Sequence, residues 1–292
     1  MVEQLYHTPD IYRIYVPLPD NPLKYLNCYV LVSDGETLII DTGFNRPECK
    51  QALFDGPDEL QVDFAHTKLF LTHLHGDHSG LTEKLTVRGV PVFMNAIDYN
   101  YLCQELASGG WQVMEQIFLS EGLPMEEIEK QKKGNQARLY SPHHPFPASK
   151  VSNNNLLTVG GITLRCIHTP GHTPGHTCLY IEEKEILFSG DHILFDITPN
   201  ISVWRNVPYS LADYLESLQK IKCLKVSHTF PGHREFHGDI QDRIDALTLH
   251  HHARLKEILD AIDQHPDCTA YGTAGRISWS ARGRAWEDFS PN

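Results

Sequence analysis

The sequence predicts an α/β fold, and three observations carry this prediction. Short segments rich in β-branched and aromatic residues alternate with segments whose apolar residues recur at helical spacing. Several predicted strands end in a glycine-containing turn that carries His or Asp, and α/β proteins place their chemistry at strand ends in this way. The two halves of the chain also repeat one pattern, a group of strands followed by such a turn.

The first half of the chain opens with predicted strands. Residues 12–16 and 28–32 are largely β-branched or aromatic, and Asp34-Gly35 forms a hairpin turn into a third strand. A helix with Pro47 in its first turn follows. The third strand is predicted at 36–40, and the later elements of this half are a strand at 67–71, a helix at 81–87 and a strand at 91–94.

Residues 98–133 change to a helical pattern, in which apolar and aromatic residues share helical faces. The Gly-Leu-Pro sequence at 122–124 restarts a helix, and a Pro-rich connector follows at 141–147. We interpret the region from about 96 to 147 as a helical insertion that packs over the edge of a sheet. Its aromatic stripe is more typical of a packed core than of a cofactor site.

Strands resume in the second half, where two predicted hairpins precede a helix and a further strand. A long amphipathic helix then runs from Asp239 to about Gln264, and the tail beyond it carries Trp279, Trp286 and Phe289. The strands of this half are predicted at 155–159, 162–167, 178–181, 185–188 and 225–230, and the helix begins after residue 210.

Composition narrows the classes of function. The formal net charge of −12 argues against a surface built to bind nucleic acid, because phosphates demand clustered Lys and Arg. The chain has no run of about eighteen apolar residues, and its N-terminus lacks the basic and apolar regions of a signal peptide. Seven cysteines, none in a Cys-x-x-Cys pair, suit reduced thiols. We therefore expect a cytoplasmic protein without membrane or nucleic-acid partners.

The chain carries 18 histidines, which is a reason to search for a metal site. The run His250-His251-His252 is no evidence of one, because we place it on a solvated helix face. The search therefore concentrates on histidines that follow predicted strands.

Four potential metal ligands follow the predicted strand at 67–71, in the sequence His-Leu-His-Gly-Asp-His. Side chains two apart in an extended segment point to the same side, so His73 and His75 can converge on one ion. The glycine then lets the backbone turn, so Asp77 and His78 can reach a second ion from the start of the next helix. A solvated polar turn is the alternative, since loops often carry Gly, Asp and His.

Three later turns share this construction of an apolar strand, a glycine turn and a ligand. They carry His172 and His176, Asp191, and His233. Glycine allows close approach of the backbone, so these short side chains can reach an ion held between sheets. Each turn alone indicates little, but together they predict a metal site. Asp41, at a strand end before Thr-Gly, is either a turn residue or a carboxylate that steadies the metal loop.

These motifs resemble those of the metallo-beta-lactamase superfamily of dinuclear metallohydrolases, whose His-x-His-x-Asp-His motif stands at residues 73–78. The resemblance covers about residues 12–235 and implies an αββα four-layer sandwich with the ions at one edge of two packed sheets. In the family pattern the ligand is the His of Pro-Gly-His-Thr, so His176 is expected either to support a ligand or to have a structural role. The implied ligands are His73, His75 and His172 for the first metal and Asp77, His78 and His233 for the second, with Asp191 bridging both.

The implied donors favour zinc, although iron and manganese also bind imidazole and carboxylate ligands. We therefore expect two Zn²⁺ per chain, with iron or manganese as alternatives. Two ions about 3.5–4 Å apart lower the pKa of a shared water toward about 7, and the bridging hydroxide is the expected nucleophile. Asp77, beside this water, is the residue expected to carry a proton to the leaving group.

Hydrolysis of a small ester or thioester is the leading functional hypothesis. The acidic charge, the aromatic insertion and the apolar segment after Asp191 favour a small-molecule substrate over RNA. The resemblance leaves an RNase Z-like phosphodiesterase, a lactonase, a mono-iron sulfur dioxygenase and an inactive binding module as alternatives. The candidates for substrate contact, each of which packing also explains, are Tyr99, Tyr101, Trp111, Asn200 and Trp204.

We predict a metallo-beta-lactamase-like catalytic domain at 1–238 and a C-terminal helical extension at 239–292. Residues 271–289 resemble the start of the winged-helix-like appendage that follows the catalytic domain in one branch of the superfamily. Its expected role is to wall the substrate cleft or to mediate formation of a homodimer.

Overall fold

The computed structural model describes residues 2–108 and 111–279 of the chain. Within these residues the strands form two sheets, and helices cover the outer faces. The strands are β1 (Val2–Tyr6), β2 (Asp10–Pro17), β3 (Tyr25–Ser33), β4 (Glu36–Ile40), β5 (Thr67–Leu71), β6 (Val92–Asn95), β7 (Ser149–Val151), β8 (Leu156–Val159), β9 (Ile162–His168), β10 (Thr177–Ile181), β11 (Ile186–Gly190) and β12 (His228–Pro231). The helices are α1 (Pro47–Glu59), α2 (Gly76–Ser79), α3 (Thr82–Thr86), α4 (Ala96–Ser108), α5 (Trp111–Ser120), α6 (Met125–Gly134), α7 (Gln136–Leu139), α8 (Ser210–Lys222), α9 (Ile240–Gln264) and α10 (Ala270–Ala274).

The two sheets have a mixed topology. The first runs in the order β1 to β7, antiparallel from β1 to β4 and parallel from β4 to β7. The second has the order β12-β11-β10-β9-β8, and only β12 pairs in parallel there. Two of these strands, β1 and β7, were not predicted from the sequence. Both are edge strands with mostly exposed or half-buried residues, so neither has the apolar run that identifies the buried strands.

The core between the sheets follows from the two-residue period of the strands. In β4, Leu38 and Ile40 pack in this layer against residues of the second sheet such as Phe188, whereas Ile39 packs on the opposite face. All three are essentially inaccessible to solvent. A strand that is buried on both faces needs a second sheet on one side and helices on the other.

Helices provide the two outer layers. On the first sheet, Leu53 of α1 and Leu102 of α4 join the core that contains Ile39. On the second sheet, Tyr214 and Leu218 of α8 pack with Ile244 of α9. The αββα sandwich expected from the sequence is confirmed. None of the helices in the described part of the chain combines the length and apolar character needed to span a bilayer.

The helices predicted within 98–133 are α4, α5 and α6, which lie between β6 and β7 in the chain. The domain boundary after residue 238 stays a prediction, and the first half of α9 packs on α8 through the core of the second sheet. The short helix α10 contacts α9, and Tyr271 N–H donates to the Glu121 carbonyl at the end of α5. Trp286 and Phe289, which belong to the predicted appendage, lie outside the described residues.

Candidate metal centre

The glycine turns bring the predicted ligands of both halves to one edge of the two sheets. The His-Leu-His-Gly-Asp-His loop follows β5 and enters α2, and the other ligands follow β9, β11 and β12. A Cβ at Gly232 would overlap the Asp191 carboxylate, so only glycine allows this close approach. Within each of three overlapping groups the ligand atoms lie within 4.8 Å of one another; the groups are His73/His75/His172, His73/His78/Asp191 and Asp77/His78/His233.

Asp191 lies between the two halves of the cluster. Its Oδ2 atom is 3.6 Å from His172 Nε2 and 3.5 Å from His78 Nε2. The same oxygen is 3.4 Å from His233 Nε2. One carboxylate therefore faces ligands from both of the groups that the resemblance assigns to separate ions.

The spacing and the unsatisfied atoms of the cluster fit divalent metal ions. His73 Nε2 is 3.1 Å from His75 Nδ1, and the Nε2 atoms of His78 and His233 are 3.2 Å apart. Two nitrogens that bind one zinc ion tetrahedrally at 2.0–2.1 Å stand about 3.4 Å apart. Among the described residues, buried His172 Nε2 and Asp191 Oδ1 have no hydrogen-bond partner, which an ion would supply.

Hydrogen bonds on the far side of His73, His78, His172 and His233 fix these four rings toward the cluster. His78 Nδ1 lies 2.8 Å from Asp41 Oδ2, and Asp41 also accepts the backbone N–H and the hydroxyl of Thr72, both at 2.8 Å. His73 Nδ1 lies 3.0 Å from the Thr72 hydroxyl oxygen. Asp41 therefore holds the loop and one ligand together, and the tautomers that satisfy these bonds leave the Nε2 atoms free.

Backbone carbonyl groups orient the rings of His172 and His233. His172 Nδ1 lies 2.6 Å from the Asn200 carbonyl, and His233 Nδ1 lies 2.9 Å from the Tyr25 carbonyl. Since a carbonyl only accepts, each Nδ1 carries the proton and each Nε2 offers its lone pair.

His176 makes a different set of hydrogen bonds from the predicted ligands. Its Nδ1 lies 2.8 Å from the Thr169 hydroxyl, and its Nε2 accepts the backbone N–H of Asp191 at 3.1 Å. Both ring nitrogens are thus committed to the protein. This arrangement supports a structural role, in which His176 fixes the backbone of Asp191.

The electrostatics divide the cluster into two halves. Burial, reinforced by the neighbouring His172, lowers the pKa of His75 to about 3, so this half offers neutral imidazoles. In the other half, burial opposes charge, but Asp191 and Asp77 outweigh it and raise the pKa of His233 to about 10. His78 and His233 likewise overcome the effect of burial on Asp77 and lower its pKa to about 2. A bound cation would take the place of these protons.

The cluster opens into a cavity of about 870 Å³, lined by His75 and Asp77 and mainly by apolar and aromatic side chains. Trp204 stacks on His75 with ring centroids 5.9 Å apart and donates its indole N–H to the His172 carbonyl at 3.3 Å. Tyr101 meets the Trp204 ring edge-on at 5.8 Å. The aromatic wall therefore packs directly on two of the predicted metal ligands.

Four of the five residues predicted to contact substrate line this cavity, namely Tyr101, Trp111, Asn200 and Trp204. Tyr99 is not among the described residues that line it. Its ring packs on Phe146 at 6.0 Å, and its hydroxyl donates to the Phe146 carbonyl at 2.6 Å. The prediction for Tyr99 is corrected, because the helical rotation between positions 99 and 101 turns it to another face of α4.

A model of the metallo-beta-lactamase superfamily matches residues 22–233, the span that contains the strands from β3 to β12 and every predicted ligand. The chain belongs to the metallo-beta-lactamase superfamily. A metallo-beta-lactamase family protein from Thermus thermophilus has a similar structure, with a TM-score of 0.79 and 30% identity over 90% of this chain and 86% of that one. A beta-lactamase domain protein from Burkholderia ambifaria has a TM-score of 0.77 and 25% identity, with 93% and 82% covered.

Curated relatives in this superfamily are longer than this chain. The beta-lactamase-like protein 2 homolog of Caenorhabditis elegans is 25% identical over 265 residues, which are 89% of this chain and 74% of that protein. An atrochrysone carboxyl ACP thioesterase of Cryptosporiopsis sp. is 27% identical over 267 residues, which are 90% of this chain and 65% of that protein. The chain thus spans about two thirds to three quarters of these relatives.

Asp98 joins two of the ligand loops, and this role was not predicted from the sequence. Its buried carboxylate accepts the Leu74 N–H at 3.0 Å, the Thr173 hydroxyl at 2.6 Å and the Gly175 N–H at 2.5 Å. Asp98 thereby couples the loop after β5 to the loop after β9. A single Asp in the first turn of a predicted helix gives no sign of this role, because its partners are distant in sequence.

The sequence analysis also missed the residues that hold the His233 loop. The Asn27 amide donates to the Pro231 carbonyl at 2.9 Å and to the Arg234 carbonyl at 2.7 Å. The Tyr29 hydroxyl donates to the Pro231 carbonyl at 2.7 Å. Both donors belong to β3 of the first sheet, which therefore fixes a ligand loop that emerges from the second sheet.

Proposed function

We propose that this metallo-beta-lactamase superfamily member is a metal-dependent hydrolase of small thioesters or esters. The observation that carries the proposal is the direct opening of the ligand cluster into a mainly apolar cavity of about 870 Å³. The name of one relative, an atrochrysone carboxyl ACP thioesterase at 27% identity, supports a thioester.

The metal ligands and the cavity have distinct roles in this proposal. We propose two Zn²⁺, with iron or manganese as alternatives, held by the seven clustered residues. Bound divalent ions supply Lewis acidity, which lowers the pKa of water to about 7 and polarises a carbonyl. The aromatic wall of Trp204 and Tyr101 orients the acyl group and keeps bulk water from one side of the site.

The proposed reaction adds water across the thioester bond. The water oxygen bonds to the carbonyl carbon, the carbon–sulfur bond breaks, and its electron pair leaves with the sulfur. Asp77 lines the cavity beside the ligand cluster, and its low pKa keeps it ionised at neutral pH. It is therefore placed to accept one proton from water and deliver it to the leaving thiolate, while the second proton of the water is released to solvent, so that the products are a carboxylate and a thiol.

The lining of the cavity weighs against an RNA substrate. Among the described residues that line it, Arg205 is the sole Lys or Arg, whereas Asp20, Asp77 and Glu105 contribute acidic groups. A channel for single-stranded RNA combines stacking aromatics with a row of basic residues. The aromatics are present here, but the row of basic residues is not.

The first prediction tests hydrolysis directly. Zinc-loaded protein is assayed on a panel of acyl thioesters and matched oxygen esters, with metal content measured by mass spectrometry. We expect turnover, and we expect Asp191→Ala to lower kcat/KM by at least about a hundredfold, because it removes the carboxylate between both ligand groups. Asp58→Ala, an exposed change on α1, is the matched control and keeps wild-type turnover.

Two outcomes would contradict this proposal. In one, wild-type turnover of every thioester and ester stays at the level of Asp191→Ala. In the other, a phosphodiester such as bis(p-nitrophenyl) phosphate is hydrolysed far faster than all of them.

A further inference from the structure

Arg205 is the one strongly basic side chain among the described residues that line the cavity. It directly follows Trp204, whose ring stacks on the metal ligand His75. The same loop carries Asn200, whose carbonyl lies 2.6 Å from His172 Nδ1. Arg205 is therefore attached to a loop that rests on the metal ligands at two points.

Hydrogen bonds hold Arg205 on both its backbone and its side chain. The Tyr101 hydroxyl donates to the Arg205 carbonyl at 2.5 Å. One terminal nitrogen of the guanidinium donates to Gln104 Oε1, also at 2.5 Å. Both partners lie on α4, so the position of the guanidinium depends on a helix rather than on the loop alone.

The guanidinium of Arg205 forms no ion pair with a carboxylate in the described part of the chain. Other arginines of the chain do form such pairs: Arg46 pairs with Glu48 at 3.1 Å, and Arg138 pairs with Glu115 at 2.9 Å. An arginine has five N–H donors in a planar fork, and one bond to Gln104 leaves donors available. Such a fork matches the two oxygens of a carboxylate or phosphate.

We propose that Arg205 binds an anionic group of the substrate, so that the enzyme selects thioesters that carry a carboxylate or a phosphate. The inference rests on the proposed thioester hydrolysis. The acidic residues Asp20 and Asp77 disfavour an anion at their own positions on the cavity wall, and the apolar lining accommodates the uncharged carbon skeleton. The anion can belong to the acyl group or to the thiol arm, and the test separates these two sources.

The experiment compares two matched pairs of thioesters on the zinc-loaded, full-length protein. In the first pair, one benzoyl thioester is formed with phosphopantetheine and the other with pantetheine, so that only the phosphate differs. In the second pair, N-acetylcysteamine carries a glutaryl or a pentanoyl group, so that a terminal carboxylate is present or absent. The readout is the ratio of kcat/KM for the anionic member to kcat/KM for the neutral member.

We expect the wild type to prefer the anionic member of at least one pair, and Arg205→Gln to lower that ratio by about ten- to hundredfold, because a charge-assisted hydrogen bond is lost. Arg205→Lys, which keeps the charge without the fork, should give an intermediate ratio. Arg165→Gln, on β9 and away from the cavity, should keep the wild-type ratio. A change confined to the first pair assigns the phosphate, and one confined to the second pair assigns the carboxylate.

Product inhibition of the wild type gives a second measurement that does not depend on a folded variant. Phosphopantetheine should inhibit more strongly than pantetheine, or glutarate more strongly than pentanoate. The inference is overturned if thioesters are hydrolysed but neither the wild-type ratios nor the inhibition constants favour the anion, or if Arg205→Gln leaves the ratios unchanged. The inference is also overturned if oxygen esters are hydrolysed but thioesters are not, whereas the proposed function itself fails if neither thioesters nor esters are turned over above the Asp191→Ala level.

Discussion

At the scale of single residues, the surroundings of Glu105 in the cavity wall disfavour the charged form of its carboxyl group. Glu105 lines the cavity on α4, near Asp98 and Arg205. Burial, followed by repulsion from Asp98, raises the pKa of Glu105 to about 7, although the attraction of Arg205 opposes the shift. Between about pH 4.5 and pH 7, Glu105 therefore keeps its proton in the folded protein but loses it in the unfolded chain, where its pKa has the ordinary value of about 4.5.

This difference predicts a pH-dependent effect of Glu105→Gln. Because the folded state binds the proton more tightly, wild-type stability decreases as pH rises from about 4.5 to about 7. The stability of Glu105→Gln does not decrease in this way, because glutamine does not titrate. We expect equal stability near pH 4.5, and at pH 8 a gain for Glu105→Gln of up to about 3 kcal/mol.

Denaturant unfolding at constant metal concentration, from pH 4.5 to 8, measures this difference. Glu59→Gln, at an exposed position on α1, is the control and should show no such trend. A variant that is equally stable or less stable than the wild type at pH 8 would rule out a protonated, half-buried Glu105.

At the scale of elements, β3 holds a ligand loop that belongs to the other sheet. Besides Asn27 and Tyr29, the pair of Arg13 and Glu235 contributes, with the guanidinium donating to the carboxylate at 2.8 Å. The Tyr25 hydroxyl also donates to Glu235 at 2.9 Å, and the Tyr25 carbonyl lies 2.9 Å from His233 Nδ1. The loop that carries His233 is thus fixed by several hydrogen bonds from one hairpin.

These bonds predict a graded effect on metal binding. Asn27→Ala removes two donors to the loop, and Tyr29→Phe removes one. We expect Asn27→Ala to weaken the ion held with His233 by about ten- to a hundredfold and Tyr29→Phe to weaken it less, since positioning partners have effects of this size.

Competition with a chromophoric chelator measures both affinity and stoichiometry. The hydrogen bonds of Asn27 and Tyr29 do not contact His73, His75 or His172. This ligand set should therefore keep its affinity for metal in both variants. Equal weakening of all metal binding, or no weakening in either variant, would contradict this account of the loop.

At the scale of the whole molecule, the sequence was most informative where structure is local. The glycine turns after apolar strands identified the ligand loops, because backbone reversal and ligand placement are encoded within a few residues. Asp98 and Asn27 were missed, because their partners are distant in the chain. His251 was predicted on a solvated face, but it is buried with its ring 5.3 Å from that of Tyr214, since α8 covers that side of α9. Helical periodicity does not reveal which neighbour a face meets.

The cluster also predicts how the whole fold responds to loss of metal. Ions that bind the folded state alone stabilise it by about 4 kcal/mol at a free concentration of 1,000 Kd, so a chelator should lower Tm by roughly 10 °C. Added zinc should restore Tm, whereas Asp191→Ala should respond far less. Calorimetry with parallel metal analysis measures the shift, and an unchanged Tm after complete removal of metal would contradict it.

The distribution of the ligands along the chain has a consequence for biogenesis. His78 and His233 meet across 155 positions of sequence, and the last of these ligands follows the final strand of the second sheet. During synthesis the full ligand set does not exist until both sheets have emerged and paired. A metal ion can therefore meet its complete ligand set only after that pairing, and the pairing joins strands that are distant in sequence, which is intrinsically slow.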